Sequence, residues 1–144
     1  MTDRRPPQHL EPEQSPHVAA LGIDVVERGP GRLVMRLPAS SSLVGNPDDG
    51  VLFGGTIFTL IDTVCGFLAL ASVPDALPVA TLDIRVDYLS PARGGQDVFA
   101  EALCTRVTRR VVFCRASAWQ ADPATPIASA LTSFMINRPR AGAP

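Results

Sequence analysis

Residues 55–72 are the one long helical segment of this chain, and they are apolar over most of the helix circumference. A helix that is apolar all round is buried rather than half exposed, so the rest of the fold must cover it. The segment is closed by Pro74, which cannot continue a helix. The remaining chain therefore has to supply a surface that wraps around one helix.

Six strand-like segments flank this helix, two before it and four after it, with short links between the later ones. Such an order predicts an α+β fold, in which an antiparallel sheet of about five to six strands is wrapped around one long central helix. The predicted strands cover residues 23–28, 32–37, 79–89, 96–108, 111–120 and 127–137. In the third of them, alternation places Ala80, Leu82, Ile84, Val86 and Tyr88 on one face, and Thr81, Asp83, Arg85 and Asp87 on the other.

The 144 residues fit one domain. Residues 1–15 are polar and proline-rich, which predicts a disordered arm. The folded domain is expected at residues 16–138, and residues 139–144 are expected to be a frayed tail. Within the domain, residues 16–21 are predicted as a short helix with Ser15 as N-cap and Gly22 at its end. Residues 38–50 are predicted as a loop.

The composition limits the possible partners and locations. The formal net charge is −1, which gives no support for binding to nucleic acid or to an anionic membrane. We find no apolar run as long as the roughly 20 residues of a membrane span, and the polar N-terminus lacks a signal-peptide core. A soluble cytoplasmic protein is expected. The cysteines Cys65, Cys104 and Cys114 are far apart in sequence and are interpreted as reduced, buried thiols.

Several kinds of catalysis are excluded by missing residue types. All 13 basic residues are arginine, so no lysine is available for a Schiff base. The two histidines, His9 and His17, precede the predicted core, where a catalytic triad or a histidine-rich metal site could use them only by folding back. No metal site and no cofactor are expected. An enzyme with this sequence would depend on a carboxylate and on backbone groups.

Small and polar residues form a narrow stripe along the predicted helix. At about 100° per residue, Gly55, Thr59, Asp62, Gly66 and Ala69 fall on one side. Asp62 is the only ionisable residue of the helix, and burying an unpaired carboxylate is costly. A glycine inside a helix costs about 1 kcal/mol relative to alanine. The stripe therefore indicates close approach of a ligand or of a partner chain.

Structural explanations of the same residues remain open. Asp62 could cap a loop or pair with an arginine such as Arg85. The Thr59 hydroxyl could bond back to the helix backbone. The glycine pair at the helix start could serve backbone packing alone, although free N–H groups at a helix start can also stabilise an oxyanion.

Two segments resemble signatures of hotdog-fold thioesterases of the phenylacetate-degradation type. Residues 46–62 contain an Asn, a Gly, the pair Gly54-Gly55 and, eight residues after Gly54, Asp62. Residues 81–92 resemble the central strand of that family and its Ser-Pro turn. The resemblance covers roughly residues 17–137. It implies a hotdog fold and hydrolysis of an acyl-CoA or aryl-CoA thioester, with CoA entering as part of the substrate.

The resemblance also implies roles for individual residues. Asp62 matches the catalytic carboxylate, as nucleophile or as general base on water. The Gly54 N–H matches the donor that polarises the thioester carbonyl, Asn46 matches a group that positions the thioester or the water, and Thr81 matches a water-holding residue. The family site is shared between two subunits, which implies a homodimer, often paired into a tetramer.

Two features depart from the family pattern. The segment at residues 46–50 is one residue longer than the shortest form of the motif. Phe53 stands where the family usually carries a histidine, which argues against hotdog dehydratases, because their chemistry needs that histidine. We expect Phe53, Gly55, Thr59 and Gly66 to contact the substrate. For the CoA phosphates, the candidates are Arg93, Arg109 and Arg110, since arginine binds phosphate in bidentate fashion; each could equally be a solvated surface residue.

Two other functions compete with hydrolysis. The first is a non-catalytic acyl-CoA-binding or regulatory protein on the same fold, favoured by Phe53. The second is a scaffold that uses only its dimer surface. A panel of acyl-CoA substrates separates catalysis from binding.

Overall fold

The computed structural model describes residues 11–138 and contains two helices and eight strands in that range. Three one-turn 3-10 helices accompany them, at Pro12–Gln14, Ser41–Leu43 and Pro74–Ala76. The helices are α1 (Pro16–Leu21) and α2 (Gly54–Ser72). The strands are β1 (Asp24–Gly29), β2 (Arg32–Leu37), β3 (Val44–Asn46), β4 (Val51–Leu52), β5 (Val79–Tyr88), β6 (Val98–Val107), β7 (Val111–Trp119) and β8 (Ala128–Ile136).

Six of the strands form one antiparallel sheet in the order β1-β2-β6-β7-β8-β5. The predicted α+β class, with about six antiparallel strands around one long helix, is therefore confirmed. Five strand pairings connect the six strands in this order, so β1 and β5 are the two edges of the sheet. The strand that follows the helix thus returns to an edge of the sheet, next to the last strand of the chain.

The helix α2 packs across the inner face of the sheet, against β2, β5, β6, β7 and β8. One side of the helix is fully buried there, and includes Leu60, Ile61, Val64 and Cys65 at 0% exposure. Removing such side chains from water contributes about 1.5–3 kcal/mol each. These contacts explain why the apolar helix lies in the hollow of the sheet.

The opposite side of α2 remains open in the single chain, contrary to the expectation of a helix buried all round. Phe58 is 40% exposed, and Thr59, Asp62 and Gly66 are only partly covered. By length and composition α2 is also apolar enough to cross a membrane, with a mean hydropathy of 1.6, which corrects the expectation that no apolar run would be long enough. The core helix of a soluble protein passes the same test.

Two further expectations need correction. The predicted arm at residues 1–15 is ordered at its end, where Pro12 is buried in a 3-10 helix and Glu11 pairs with Arg28 at 2.8 Å. The predicted loop at residues 38–50 contains β3, which pairs with β4 in a small separate sheet. Residues 1–10, with His9, and the predicted tail at 139–144 lie outside the described residues.

A β-bulge changes the faces of β5. The register to β8 shifts between Thr81 and Asp83, so the strict alternation expected for residues 79–89 fails there. Thr81 is opposite the buried Phe134, and Ile84 is opposite the buried Thr132. Because residues directly opposite each other share a face, Thr81 points toward the helix side, and Leu82 is left 53% exposed. Bulges commonly re-aim a side chain near an active site.

Candidate active site

The start of α2 has a free backbone donor. Phe53 is the N-cap and Gly54 is the first helical residue. The N–H of Thr56 donates to the Phe53 carbonyl at 3.0 Å, and the Thr56 hydroxyl donates to it at 2.6 Å. Within residues 11–138 the N–H of Gly54 has no acceptor. This group combines an unused hydrogen with the positive end of the helix dipole, which favours a negative or polarised oxygen.

The aromatic side chain of Phe53 lies over the first turn of this helix. A Cβ added at Gly55 would be 2.7 Å from Cε1 of Phe53, so glycine leaves room for the ring in this position, and any larger residue would make the ring move. Gly45 of β3 is similarly close, because a Cβ there would be 3.0 Å from Cα of Phe53. The glycines therefore allow β3, the Phe53 ring and the helix start to pack together. Phe53 itself remains 64% exposed.

Asp62 lies on the open side of α2, two turns after the helix start. Its Oδ1 accepts a hydrogen bond from the Thr81 hydroxyl at 3.1 Å. The bulge in β5 makes this contact available. Arg85, considered as a structural partner of Asp62, instead reaches Asp87 at 3.3 Å. Among the described residues no ion pair involves Asp62, so its carboxylate is oriented by a neutral hydroxyl and is reachable from solvent.

The other predicted stripe residues divide into two groups. The Thr59 hydroxyl donates to the Gly55 carbonyl at 2.9 Å, which is the back-bonding considered from the sequence. A Cβ at Gly66 would be 3.6 Å from Phe134, an ordinary contact, so the chain itself does not require glycine there. Ala69 is buried. The open part of the stripe is thus limited to residues 55–66.

Asn46 is engaged in its own turn. Its Oδ1 accepts from the N–H of Asp48 at 3.1 Å, and its Nδ2 lies 3.5 Å from Oδ2 of Asp49. No hydrogen bond within residues 11–138 joins it to Gly54 or to Asp62. In a single chain, Asn46 therefore shapes the loop before the helix.

Tyr88 is a site residue that the sequence pattern did not single out. Its hydroxyl donates to the Gly54 carbonyl at 2.8 Å, which ties the end of β5 to the start of α2. Partial burial raises the pKa of Tyr88, so the hydroxyl stays protonated as a donor. The only available signal was its position directly before Leu89-Ser90-Pro91. A groove of about 420 Å³ opens beside it, lined by Val51, Leu52, Gly54, Tyr88 and residues 89–92.

The three candidate arginines lie at opposite ends of the sheet. Arg93 is exposed near the helix start, and its backbone N–H and carbonyl are held by the Gln120 side chain. Arg109 and Arg110 are exposed in the turn between β6 and β7. The strand β7 separates the two positions by about 30 Å at 3.3 Å per residue. Within the described residues no cluster of side chains could hold a metal ion.

Gly54 and Asp62 do not meet in one chain. They are eight residues apart on the same helix, which corresponds to about 12 Å along its axis. A thioester carbonyl within hydrogen-bonding distance of the Gly54 N–H is therefore out of reach of the Asp62 carboxylate of that chain. The two groups therefore lie apart on one open helix face.

Comparisons with known proteins agree with this fold. The family model of the thioesterase superfamily matches residues 49–127. A Halobacterium salinarum protein that carries the name of an esterase is 35% identical and covers 82% of both chains. A medium/long-chain acyl-CoA thioesterase of Salmonella typhimurium is 27% identical, over 84% of this chain and 85% of that relative.

Among solved structures, the E. coli PaaI protein from the phenylacetic acid degradation operon superposes with a TM-score of 0.78. It covers 88% of this chain and 87% of its own length at 18% identity, a level that supports the fold alone. The segment that the thioesterase family model matches includes the Gly54-Gly55 helix start, Asp62 and the bulged strand β5. The chain belongs to the thioesterase superfamily and has its hotdog fold.

Proposed function

We propose that this protein hydrolyses acyl-CoA or aryl-CoA thioesters to the free acid and CoA. The observation that carries the proposal is the Asp62 carboxylate on the open face of α2, oriented by the Thr81 hydroxyl. The name of the Salmonella relative supports an acyl-CoA substrate. All three described cysteines are free, which fits a reducing, cytoplasmic location.

In the proposed reaction the Gly54 N–H donates to the carbonyl oxygen of the thioester. A donor placed where negative charge develops stabilises the tetrahedral intermediate. Asp62 either takes a proton from water, which then attacks the carbonyl carbon, or attacks that carbon itself. The carbon–sulfur bond breaks, and the CoA thiolate leaves and is protonated. On the route in which Asp62 attacks the carbon, water then hydrolyses the acyl–Asp62 anhydride, which releases the free acid and restores the carboxylate. Thr81 keeps the carboxylate in place and can hold the water.

The active unit is proposed to be a homodimer, because one chain separates the two groups by about 12 Å. In an antiparallel helix pair centred near Phe58, Gly54 of one chain lies opposite Asp62 of the other, since residue 58 is midway between them. The open helix face and the unpaired edge of β5 lie side by side. A twofold contact through both would cover the exposed face and remove a sheet edge, which natural proteins rarely leave free.

The arrangement of the dimers is a further proposal. On the outer face of the sheet Phe113, Leu131 and Met135 are 40%, 62% and 42% exposed. This patch is available for pairing dimers into a tetramer.

The remaining site residues are given roles around the dimer contact. Asn46 is proposed to act across the dimer contact, and Phe53, Gly55, Thr59 and Gly66 are proposed to line the substrate path. Arg93 from one end of the sheet, or Arg109 and Arg110 from the other, would bind the CoA phosphates.

Replacing Phe58 by aspartate tests the dimer. In the twofold arrangement the two introduced carboxylates would lie close together and repel each other, so the molar mass measured by light scattering should halve. The matched control is Val26→Asp, because Val26 is 51% exposed on the opposite edge strand. The wild-type mass should be at least twice 15.3 kDa. A wild-type monomer that turns over substrate would contradict the shared site.

A panel of acyl-CoA substrates with a thiol-trapping reagent tests the function itself. We expect release of one CoA thiol per substrate consumed, with a chain-length or aryl preference set by the groove next to Tyr88. The second candidate function, non-catalytic acyl-CoA binding, is favoured by Phe53 in place of the family histidine. Saturable binding of several acyl-CoA compounds by calorimetry, with no thiol released from any of them, would select that alternative and exclude hydrolysis.

A further inference from the structure

The three cysteines meet beneath α2, although they are far apart in the sequence. Cys65 lies on the buried side of α2, Cys104 on β6 and Cys114 on β7. We call these three residues the thiol cluster. Burial is the main cause of the raised pKa of Cys114, and the nearby Cys65 and Cys104 side chains raise it further, while the Thr132 side chain acts in the opposite direction on both Cys65 and Cys114. None of these sulfurs takes part in the proposed hydrolysis.

Within the cluster, Cys104 and Cys114 are directly opposite each other on neighbouring antiparallel strands. The N–H of Cys104 points away from β7, because it donates to the Gly31 carbonyl at 2.9 Å. The Cys114 carbonyl points away from β6, since it accepts from the Thr132 hydroxyl on β8 at 3.5 Å. The two cysteines therefore form a non-hydrogen-bonded pair.

The geometry of such a pair suits a covalent link. In a non-hydrogen-bonded antiparallel pair the Cα atoms are about 4.5 Å apart and the side chains are close. Disulfides join cysteines whose Cα atoms are roughly 4.4–6.8 Å apart. Both side chains are on the helix side of the sheet, where they contribute to the core cluster. The register of β6 against β7 shifts directly after this pair, between Cys104 and Arg106, so Cys104 and Cys114 are the last regular pair before the bulge and have the spacing that a disulfide requires.

Exposure distinguishes the roles of the two sulfurs. Cys104 is partly exposed, whereas Cys114 is 2% exposed and Cys65 is 0% exposed. Burial raises the pKa of Cys65 and of Cys114 to about 12, so both stay protonated and are poor at starting a reaction with an oxidant. A small oxidant from solvent would meet Cys104 first, with Cys114 next to it.

We propose that Cys104 and Cys114 are a site of reversible oxidation, at which a hydroperoxide converts the thiol pair into a cross-strand disulfide. The Cys104 sulfur attacks the peroxide and the O–O bond breaks, so that Cys104 becomes a sulfenic acid and an alcohol or water leaves with the thiol proton. The Cys114 sulfur then attacks the sulfenic sulfur, the S–O bond breaks, and water leaves with the Cys114 proton. Two thiols and one hydroperoxide thus yield one disulfide, one water and one alcohol or second water.

The test treats the reduced full chain with hydrogen peroxide and counts thiols after unfolding. The count should fall from three to one, and Cys65 should be the thiol that remains. Cleavage after arginine separates the cysteines cleanly, since residues 94–106 carry Cys104, residues 111–115 carry Cys114 and residues 37–85 carry Cys65. Mass spectrometry should find the first two peptides linked, and a thiol reductant should release them.

Two variants make the result decisive. Cys65→Ala should lose both of its thiols on treatment, because the pair is intact. Cys104→Ser, at a partly exposed position, should keep both of its thiols, and circular dichroism checks that it is folded. A link that involves Cys65, a disulfide between chains, sulfinic or sulfonic acid at Cys104 without a link, or three thiols remaining after complete treatment would each overturn the proposal. None of these readouts depends on hydrolytic activity.

Discussion

Replacing Asp62 by asparagine should lower kcat for acyl-CoA hydrolysis by roughly 10²–10⁴-fold, the usual contribution of a positioned acid–base group. The amide can neither accept the proton of the attacking water nor act as a carboxylate nucleophile. It keeps the size of the side chain and an oxygen that can accept the Thr81 hydrogen bond, so the fold and substrate binding should be retained. Steady-state kinetics with a good substrate, together with a thermal melt, measures both effects.

A matched control is available on the same strand. Asp83 is exposed and follows the bulge in β5, and its side chain makes no hydrogen bond or ion pair among residues 11–138. Asp83→Asn removes the same charge close to the site and should leave kcat within about twofold. If the Asp62 variant turns over substrate as fast as the Asp83 variant, Asp62 is not the catalytic carboxylate. The proposed role of the Gly54 N–H would then lack the carboxylate with which it acts.

The fold follows from the sequence to the extent that local periodicity controls it. The strand β2 and the helix α1 have the predicted bounds, because proline, glycine and alternating polarity mark their ends. The helix α2 begins one residue earlier than predicted and ends at the predicted Ser72. Where polar and apolar residues alternate strictly along a strand, the sequence also indicates which face of that strand is buried.

The features that the sequence did not predict depend on strand register and on contacts between segments that are distant in the sequence. Strict alternation placed Thr81 on the face away from the helix, and only the bulge between Thr81 and Asp83 turns it toward Asp62. The thiol cluster depends on the register of β6 against β7, because the spacing of Cys104 and Cys114 in the sequence does not predict that they lie opposite each other. Tyr88 reaches Gly54 from 34 residues away.

The apolar circumference of α2 predicted a helix buried all round, but the single chain covers the helix on one side only. The sheet covers Leu60, Ile61 and Val64, whereas Phe58 and the glycine-rich stripe remain open. A stripe of small residues on an open helix face is what close approach of another helix requires. The stripe therefore supports the proposed dimer, in which a second chain would cover the open side of the helix.

Replacing Gly54 by proline should lower kcat by roughly 10²–10³-fold, the cost of removing one oxyanion donor. Proline is well tolerated at the first helical position, where its missing N–H has no helical partner. The preceding Phe53 has φ −62° and ψ 127°, a conformation that suits a residue before proline. The substitution therefore removes the proposed donor and keeps the helix.

The matched control is Gly54→Ala, which keeps the N–H. Its Cβ would be 3.5 Å from the Tyr88 ring, an ordinary contact, so activity should stay near the wild-type level. Equal losses in the alanine and proline variants would mean that the space beside Tyr88, rather than the N–H, is what catalysis needs at this position.

Mixing the two inactive proteins tests the shared site directly. A hybrid dimer of the Asp62→Asn chain and the Gly54→Pro chain has one site with both groups intact and one site with neither, provided that each site takes Gly54 from one chain and Asp62 from the other. Random pairing should then restore roughly a quarter of the wild-type sites. If each chain held a complete site of its own, every site in the hybrid would lack one group and no activity would return. Because Gly54 and Asp62 are about 12 Å apart on one rigid helix, we expect activity to be restored.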